Sequence, residues 1–134
     1  DITNTVKKKV QIKKHMHFQG IDEGQTKFYR GTVRSGQLLE YPGNVVVLGD
    51  VNPGAEIRAA GNVVVMGTLR GVVHAGCDGN RKAVVSAYNL QPTQLRIADV
   101  ITRPPDEVKS NEYPVPEIAY INDGVVYIEK HCHR

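Results

Sequence analysis

From Gly31 onward the chain repeats itself every 18 residues, in its apolar positions and in its glycines alike. Cut into sixes from Gly31, the third place of every hexad is apolar: Val33, Leu39, Val45, Val51, Ile57, Val63, Leu69 and Ala75. The fifth places (Ser35, Tyr41, Val47, Pro53, Ala59, Val65, Gly71, Cys77) are mostly small or apolar. Residues two apart share one face of a strand, so each hexad reads as a short strand with places three and five facing inward, followed by a corner. A helix would need apolar spacings of three and four, and each interior glycine would cost it about 1 kcal/mol. Helix is therefore excluded for residues 31–101.

Two glycine series carry the same period. Gly-Asn recurs at 43/44, 61/62 and 79/80, while Gly31, Gly49 and Gly67 open the segments GTVRSG, GDVNPG and GTLRGV. Three strands per 18-residue turn, with turns stacked about 4.8 Å apart, predict an all-β chain wound as a triangular parallel β-helix. At Arg81 the register breaks, because an arginine in a third place would be buried unpaired. An insertion of about two residues there restores the spacing, with Ala83, Leu95 and Ile101 facing inward and Asn89 falling on an inward place. Four of the seven prolines follow in residues 104–116 and end the strand pairing. Beyond them, Asn122-Asp123-Gly124 between two apolar runs predicts a C-terminal hairpin over residues 118–128, covering the open end of the helix.

Composition narrows the function. A length of 134 residues, 40% of them hydrophobic, supports one small domain. The longest apolar run, residues 45–48, is far below the roughly 20 residues that span a bilayer. Cys77 and Cys132 are too few for a disulfide framework, which favours a cytoplasmic setting. The net charge of +3 is unevenly placed: residues 1–30 hold seven Lys/Arg against three acids, and the remainder holds 10 against 11. The basic excess thus reads as a linker over residues 1–26 leading into a domain over residues 27–134, and the missing initial Met reads as a fragment. The near-neutral body has neither the basic stripe nor the aromatic set that nucleic-acid binding requires.

Catalytic and metal chemistry find little support. His15-Met16-His17 and His131-Cys132-His133 contain ligand types but lack two further spaced ligands, so no metal and no other cofactor is expected. His74 stands alone in the coils, no nucleophile has a base at readable spacing, and no phosphate-loop pattern occurs. Two surface features stand out instead. Val46, Leu48, Val64 and Met66 occupy outward places yet are apolar, which predicts either a two-fold contact with a second copy or cover by a tail segment of the same chain. At one corner Arg34, Ser35, Gly36, Gln37 and Leu38 lie a rung from Asn52, Pro53, Gly54, Ala55 and Glu56. This is a polar platform with exposed backbone, readable as a binding corner or as a turn stack with an Arg–Glu surface pair.

The stretches Arg34-Ser35-Gly36-Gln37, Gly49-Asp50-Val51-Asn52-Pro53-Gly54-Ala55-Glu56, Gly61-Asn62, Gly67-Thr68-Leu69-Arg70-Gly71 and Ala75-Gly76 resemble the C-terminal domain of the septum-site-determining MinC family. The resemblance covers residues 28–101, with an echo at 116–129. It implies a right-handed β-helix and a non-enzymatic cytoplasmic regulator of cell division that dimerises, for which the outward apolar ladder of Val46, Leu48, Val64 and Met66 offers the contact. It further implies that the membrane-associated ATPase MinD docks on Arg34, Ser35, Gly36 and Gln37, with Gly54 and Glu56 beside them. FtsZ, whose assembly the family inhibits, is an implied partner, although the family's N-terminal inhibitory domain lies outside residues 1–134. Membrane association would be indirect, through MinD. Two alternatives are a hexapeptide-repeat acyltransferase, which has 18-residue coils but winds left-handed, and a bactofilin-like filament subunit, whose β-helices stack end to end.

Overall fold

The computed structural model describes residue 20 and residues 22–103 and 114–130. Four rungs stack in parallel. One wall consists of β1 (Thr26–Arg30), β3 (Asn44–Leu48), β5 (Val63–Leu69) and β7 (Val85–Leu90), and a second of β2 (Leu38–Tyr41), β4 (Glu56–Ala59), β6 (Val72–Ala75) and β8 (Gln94–Ile97). The third wall shrinks to single bridges, Val33 to Val51 and Val51 to Leu69. The chain is thus an all-β parallel β-helix, and its repeat interval is 18 residues for the first two steps of the first wall, as in Val45 opposite Val63, and for the first step of the second, as in Ile57 opposite Leu39.

The core follows the third places. Val33, Val45, Val51, Ile57, Val63, Leu69 and Ala75 are buried, and Leu39, on the first rung, is half-buried. Each sealed Val, Ile or Leu contributes roughly 1.5 to 3 kcal/mol, but only because the rungs above and below complete its surroundings. The fifth places divide. Val47, Ala59 and Val65 are buried, whereas Ser35 and Pro53 point to solvent because the chain makes a complete turn at that corner instead of bending sharply through it.

The third rung departs from the period. Glu56 lies opposite Val72, an interval of 16, because Arg70-Gly71 replaces the four-residue turn of the rungs above. Val73 therefore takes the inward place of Ile57, Ala75 sits at a fifth place and not a third, and Cys77 falls in a loop. The six residues 77–82 form that loop, which carries the interval to 22 at Val63 opposite Val85. The insertion is thus longer than the two residues expected, since it also makes good the shortened corner. Gly79-Asn80 lies in the loop and not on the Gly-Asn corner, where Ala83 and Val84 stand instead. Arg81 is exposed and makes a two-bond pair with Asp99, at 2.9 and 2.8 Å.

On the last rung Ala83 and Leu95 face inward as expected, but Ile101 and Asn89 do not. Ile101 is 52% exposed because β9 (Val100–Thr102) doubles back antiparallel on β8, placing it opposite Arg96 on the outer face. An irregularity in the β5–β7 pairing between Val65 and Thr68 shifts Asn89 out of the core and puts Leu90 inside. The hairpin forms as β10 (Glu117–Asn122) and β11 (Val125–Lys130). Its two turn residues, Asp123 and Gly124, have φ of 56° and 75°, the backbone that a two-residue type I′ turn demands. β10 pairs antiparallel with β7, so reversed strands close the C-terminal end of both walls.

At the other end, residues 22–25 are fastened to a ladder of asparagines. The Asn44 side-chain amide donates to the carbonyls of Glu23 (3.0 Å) and Gln25 (3.2 Å) and to the Thr26 hydroxyl (3.3 Å). Its oxygen accepts from the backbone N–H (2.8 Å) and the amide (3.2 Å) of Asn62. The Asn62 oxygen accepts in turn from the Val84 N–H at 2.8 Å. A Cβ on Gly61 would sit 2.2 Å from the Asn44 oxygen, which is why glycine precedes asparagine there.

Candidate docking corner and apolar face

Two type II turns stack at the corner between the third wall and the second. The Gln37 N–H donates to the Arg34 carbonyl at 2.9 Å, and the Ala55 N–H to the Asn52 carbonyl at 3.0 Å. A type II turn needs positive φ at its third residue and favours proline at its second. Gly36 and Gly54 supply φ of 86° and 89°, and Pro53 occupies the second place of the lower turn. The turns are tied together by the Gly36 N–H on the Gly54 carbonyl (2.9 Å) and the Glu56 N–H on the Gln37 carbonyl (3.0 Å). Gln37 also accepts the Arg34 N–H on its side-chain oxygen at 2.7 Å, bracing its own turn. Gly54 is needed twice over, since a Cβ there would also lie 2.4 Å from the Ser35 hydroxyl. Below it the platform stops: a Cβ on Gly71 would meet the Ala55 carbonyl at 2.4 Å, so the third rung cuts in beneath.

The corner brings together Arg34, Ser35, Gly36, Gln37 and Gly54, all exposed, and Glu56, half-buried at the start of β4. The expected Arg–Glu pair is not formed between Arg34 and Glu56. Glu56 instead pairs with Arg58 at 3.3 Å, and Arg58 also reaches Glu40 at 3.8 Å. Both glutamates lie with Arg58 on the outer face of the second wall, and Arg34 stands around the corner. Among the described residues Arg34 makes no ion pair.

The apolar face lies on the outside of the first wall. Val46, Leu48 and Val64 are half-buried and Met66 is 60% exposed. Sequence reasoning missed two flanking residues: Phe28, opposite Val46 in register and 58% exposed, and Tyr88, 55% exposed. Phe28 precedes Val46 by the same 18 residues that separate Val46 from Val64, so the period extended backward reaches it. Tyr88 was hidden by the added loop. The hairpin extends the first wall edge-on from β7, so among the described residues no tail segment lies over this face.

His74, the histidine of the coils, is half-buried on β6, with Nε2 3.0 Å from the Ala98 carbonyl and not facing a hydroxyl or thiol. Burial lowers its pKa from the ordinary 6.5, against the bond to Ala98 and helped by the nearby Arg96 and Arg58. The folded chain then takes up the proton less readily than the unfolded one. This stability is complete above 6.5 and is lost as pH falls toward the folded pKa. Urea melts below pH 6.5 should show that loss, and His74→Gln should flatten it. The paired-histidine segments at 15–17 and 131–133 lie outside the described residues, and no helix among the described residues is long and apolar enough to cross a membrane.

A parallel β-helix with one stacked-turn corner and one apolar wall defines a class: a small β-solenoid domain. The chain belongs to the family described as septum formation inhibitor MinC, C-terminal domain, whose family model matches residues 27–131. A probable septum site-determining protein MinC from Ruminiclostridium cellulolyticum is 66% identical over 125 residues, 93% of this chain and 55% of the relative. One from Acetivibrio thermocellus is 64% identical over 117 residues, 87% of this chain and 52% of the relative. The chain thus spans about half the length of these relatives. A solved MinC:MinD cell division protein complex from Aquifex aeolicus is similar to it with a TM-score of 0.75 and 34% identity, covering 83% of this chain and 90% of that chain.

Proposed function

We propose that this domain is a cytoplasmic, non-enzymatic division regulator that dimerises through the apolar wall and docks on MinD through the corner of Arg34, Ser35, Gly36 and Gln37. Gly54 and Glu56 flank that contact. MinD carries the domain to the membrane, and the assembly acts against FtsZ away from the division site. The observation that carries this reading is the pair of stacked type II turns, braced by their own hydrogen bonds, carrying at Arg34 an exposed side chain that makes no ion pair among the described residues. Such a group can form paired hydrogen bonds with a carboxylate, a geometry that lysine does not reproduce. Its likeness to a chain of a MinC:MinD complex supports the choice of partner. Reversed strands at the C-terminal end work against a filament built by end-to-end stacking, and the engagement of His74 with a carbonyl works against an acyltransferase.

The test is titration of ATP-loaded and ADP-loaded MinD into parent and Arg34→Ala domains with matched melting curves. Arg34→Ala should weaken ATP-dependent binding by about 2 kcal/mol or more, as expected for a central anchor. Glu56→Ala should weaken it less, because Arg58 already holds that carboxylate. Equal affinities for parent and Arg34→Ala would remove the corner as the partner site.

A further inference from the structure

We propose that Arg70 is a second guanidinium of the docking corner, so that the partner surface presents two carboxylates about two rungs apart. This rests on the MinD reading above and adds to it the charge pattern that the corner recognises. Arg34, Asn52 and Arg70 follow Val33, Val51 and Leu69, the three bridged residues of the third wall. The Asn52 N–H donates to the Val33 carbonyl at 2.9 Å and the Arg70 N–H to the Val51 carbonyl at 2.8 Å, so the three occupy one column. Rungs lie about 4.8 Å apart, which puts the two arginine backbones roughly 10 Å from each other. Both side chains are exposed and Asn52 between them is half-buried. Neither arginine makes an ion pair among the described residues, although Arg58 and Arg81 in the same domain do.

The shortened third rung adds the second observation. Where the upper rungs build a turn, Arg70 is followed directly by buried Gly71, held by the Thr93 N–H on the Gly71 carbonyl (2.9 Å) and the Thr93 hydroxyl on the Arg70 carbonyl (2.8 Å). Arg70 is thereby fixed at the foot of the step beneath the NPGA turn, while Arg34 belongs to the turn above. A flat cationic patch would accept any acidic surface. Two guanidiniums carried on backbone held at separate heights select a surface with matching carboxylates, which gives specificity and faster encounter more than raw affinity.

The experiment titrates ATP-loaded MinD into the parent, Arg34→Ala, Arg70→Ala, Arg70→Lys and the double variant, at two salt concentrations. Arg70→Ala should keep the parent melting curve and weaken binding about tenfold, with a shallower salt dependence, and Arg70→Lys should recover part of the loss. Arg70→Ala within twofold of the parent, with Arg34→Ala clearly weakened, would overturn the role of Arg70 and leave the corner reading standing. If neither variant changes the affinity, the corner reading falls and this proposal with it. Should Arg70→Ala also lower the melting temperature, Arg70→Lys decides: parent melting with weakened binding supports a paired-hydrogen-bond contact. Parent-like binding by Arg70→Lys together with parent salt dependence overturns a paired-hydrogen-bond contact.

Discussion

Replacing both Val64 and Met66 with lysine should convert a dimer into a folded monomer. The two side chains lie on the outside of the first wall, Met66 at 60% exposure, while the inward residues that support this strand, Val63 and Val65, are 0% and 1% exposed. Folding therefore rests on the inward row, and the outward row is left for contact. Phe28, Val46 and Val64 stand opposite one another on three successive strands, a continuous apolar column that a second copy would cover. Around a two-fold axis each substituted position meets its own counterpart or a near neighbour. Four lysines would then share one desolvated surface, at a cost of several kcal/mol that only separation relieves. Light scattering should give the single-chain mass, with a cooperative melt near the parent's. A particle of twice the chain mass would move the interface to another wall.

The period made the third places of the first two rungs legible, because burying one side chain at every sixth position leaves a strong imprint on sequence, while the fifth places Ser35 and Pro53 turned outward with the corner. It failed where backbone needs changed without any change in the apolar pattern. Val73 and Ala75 satisfy the third rung as well in the shortened register as Ala75 and Cys77 did in the regular one, so apolarity alone could not choose between them. The third Gly-Asn pair reinforced the wrong choice, since Gly79-Asn80 keeps the 18-residue spacing while lying in a loop. The platform itself was readable because Pro53 and Gly54 are turn residues for stated backbone reasons. Which carboxylate faces which arginine was not: Glu56 is nearer to Arg34 in the corner's sequence pattern, yet strand alternation puts it on one face with Arg58. Phe28 could have been found by running the period back one turn, which the basic character of the leader discouraged.

Asn44→Ala should cost the domain about 3 kcal/mol, far more than its single small side chain suggests. Asn44 is the one polar residue among the buried ones described, at 7% exposure, and its amide meets five groups. Removing it strips the Asn62 backbone N–H of its side-chain acceptor and the Glu23 carbonyl of its donor, while the Gln25 carbonyl keeps the Asn44 backbone N–H at 2.9 Å. Each buried polar group left unmade costs about 1 to 3 kcal/mol, and alanine cannot refill the space that Gly61 keeps open. Asn44→Asp retains an acceptor for Asn62 but loses all three donated bonds, so it should recover only part of the loss. Asn62→Ala should be milder, because Asn62 is half-buried and its oxygen serves only the Val84 N–H among the described bonds. Glu23→Ala should be milder again, since the Glu23 carboxylate makes one exposed bond of 3.0 Å to Asn62. Urea melts of the four variants should therefore rank Asn44→Ala lowest in stability and Glu23→Ala nearest the parent. Amide exchange at Asn62 should accelerate most in Asn44→Ala. If Asn44→Ala melts within 1 kcal/mol of the parent, the Gly-Asn repeat serves the backbone turn alone and the side-chain ladder is incidental to stability.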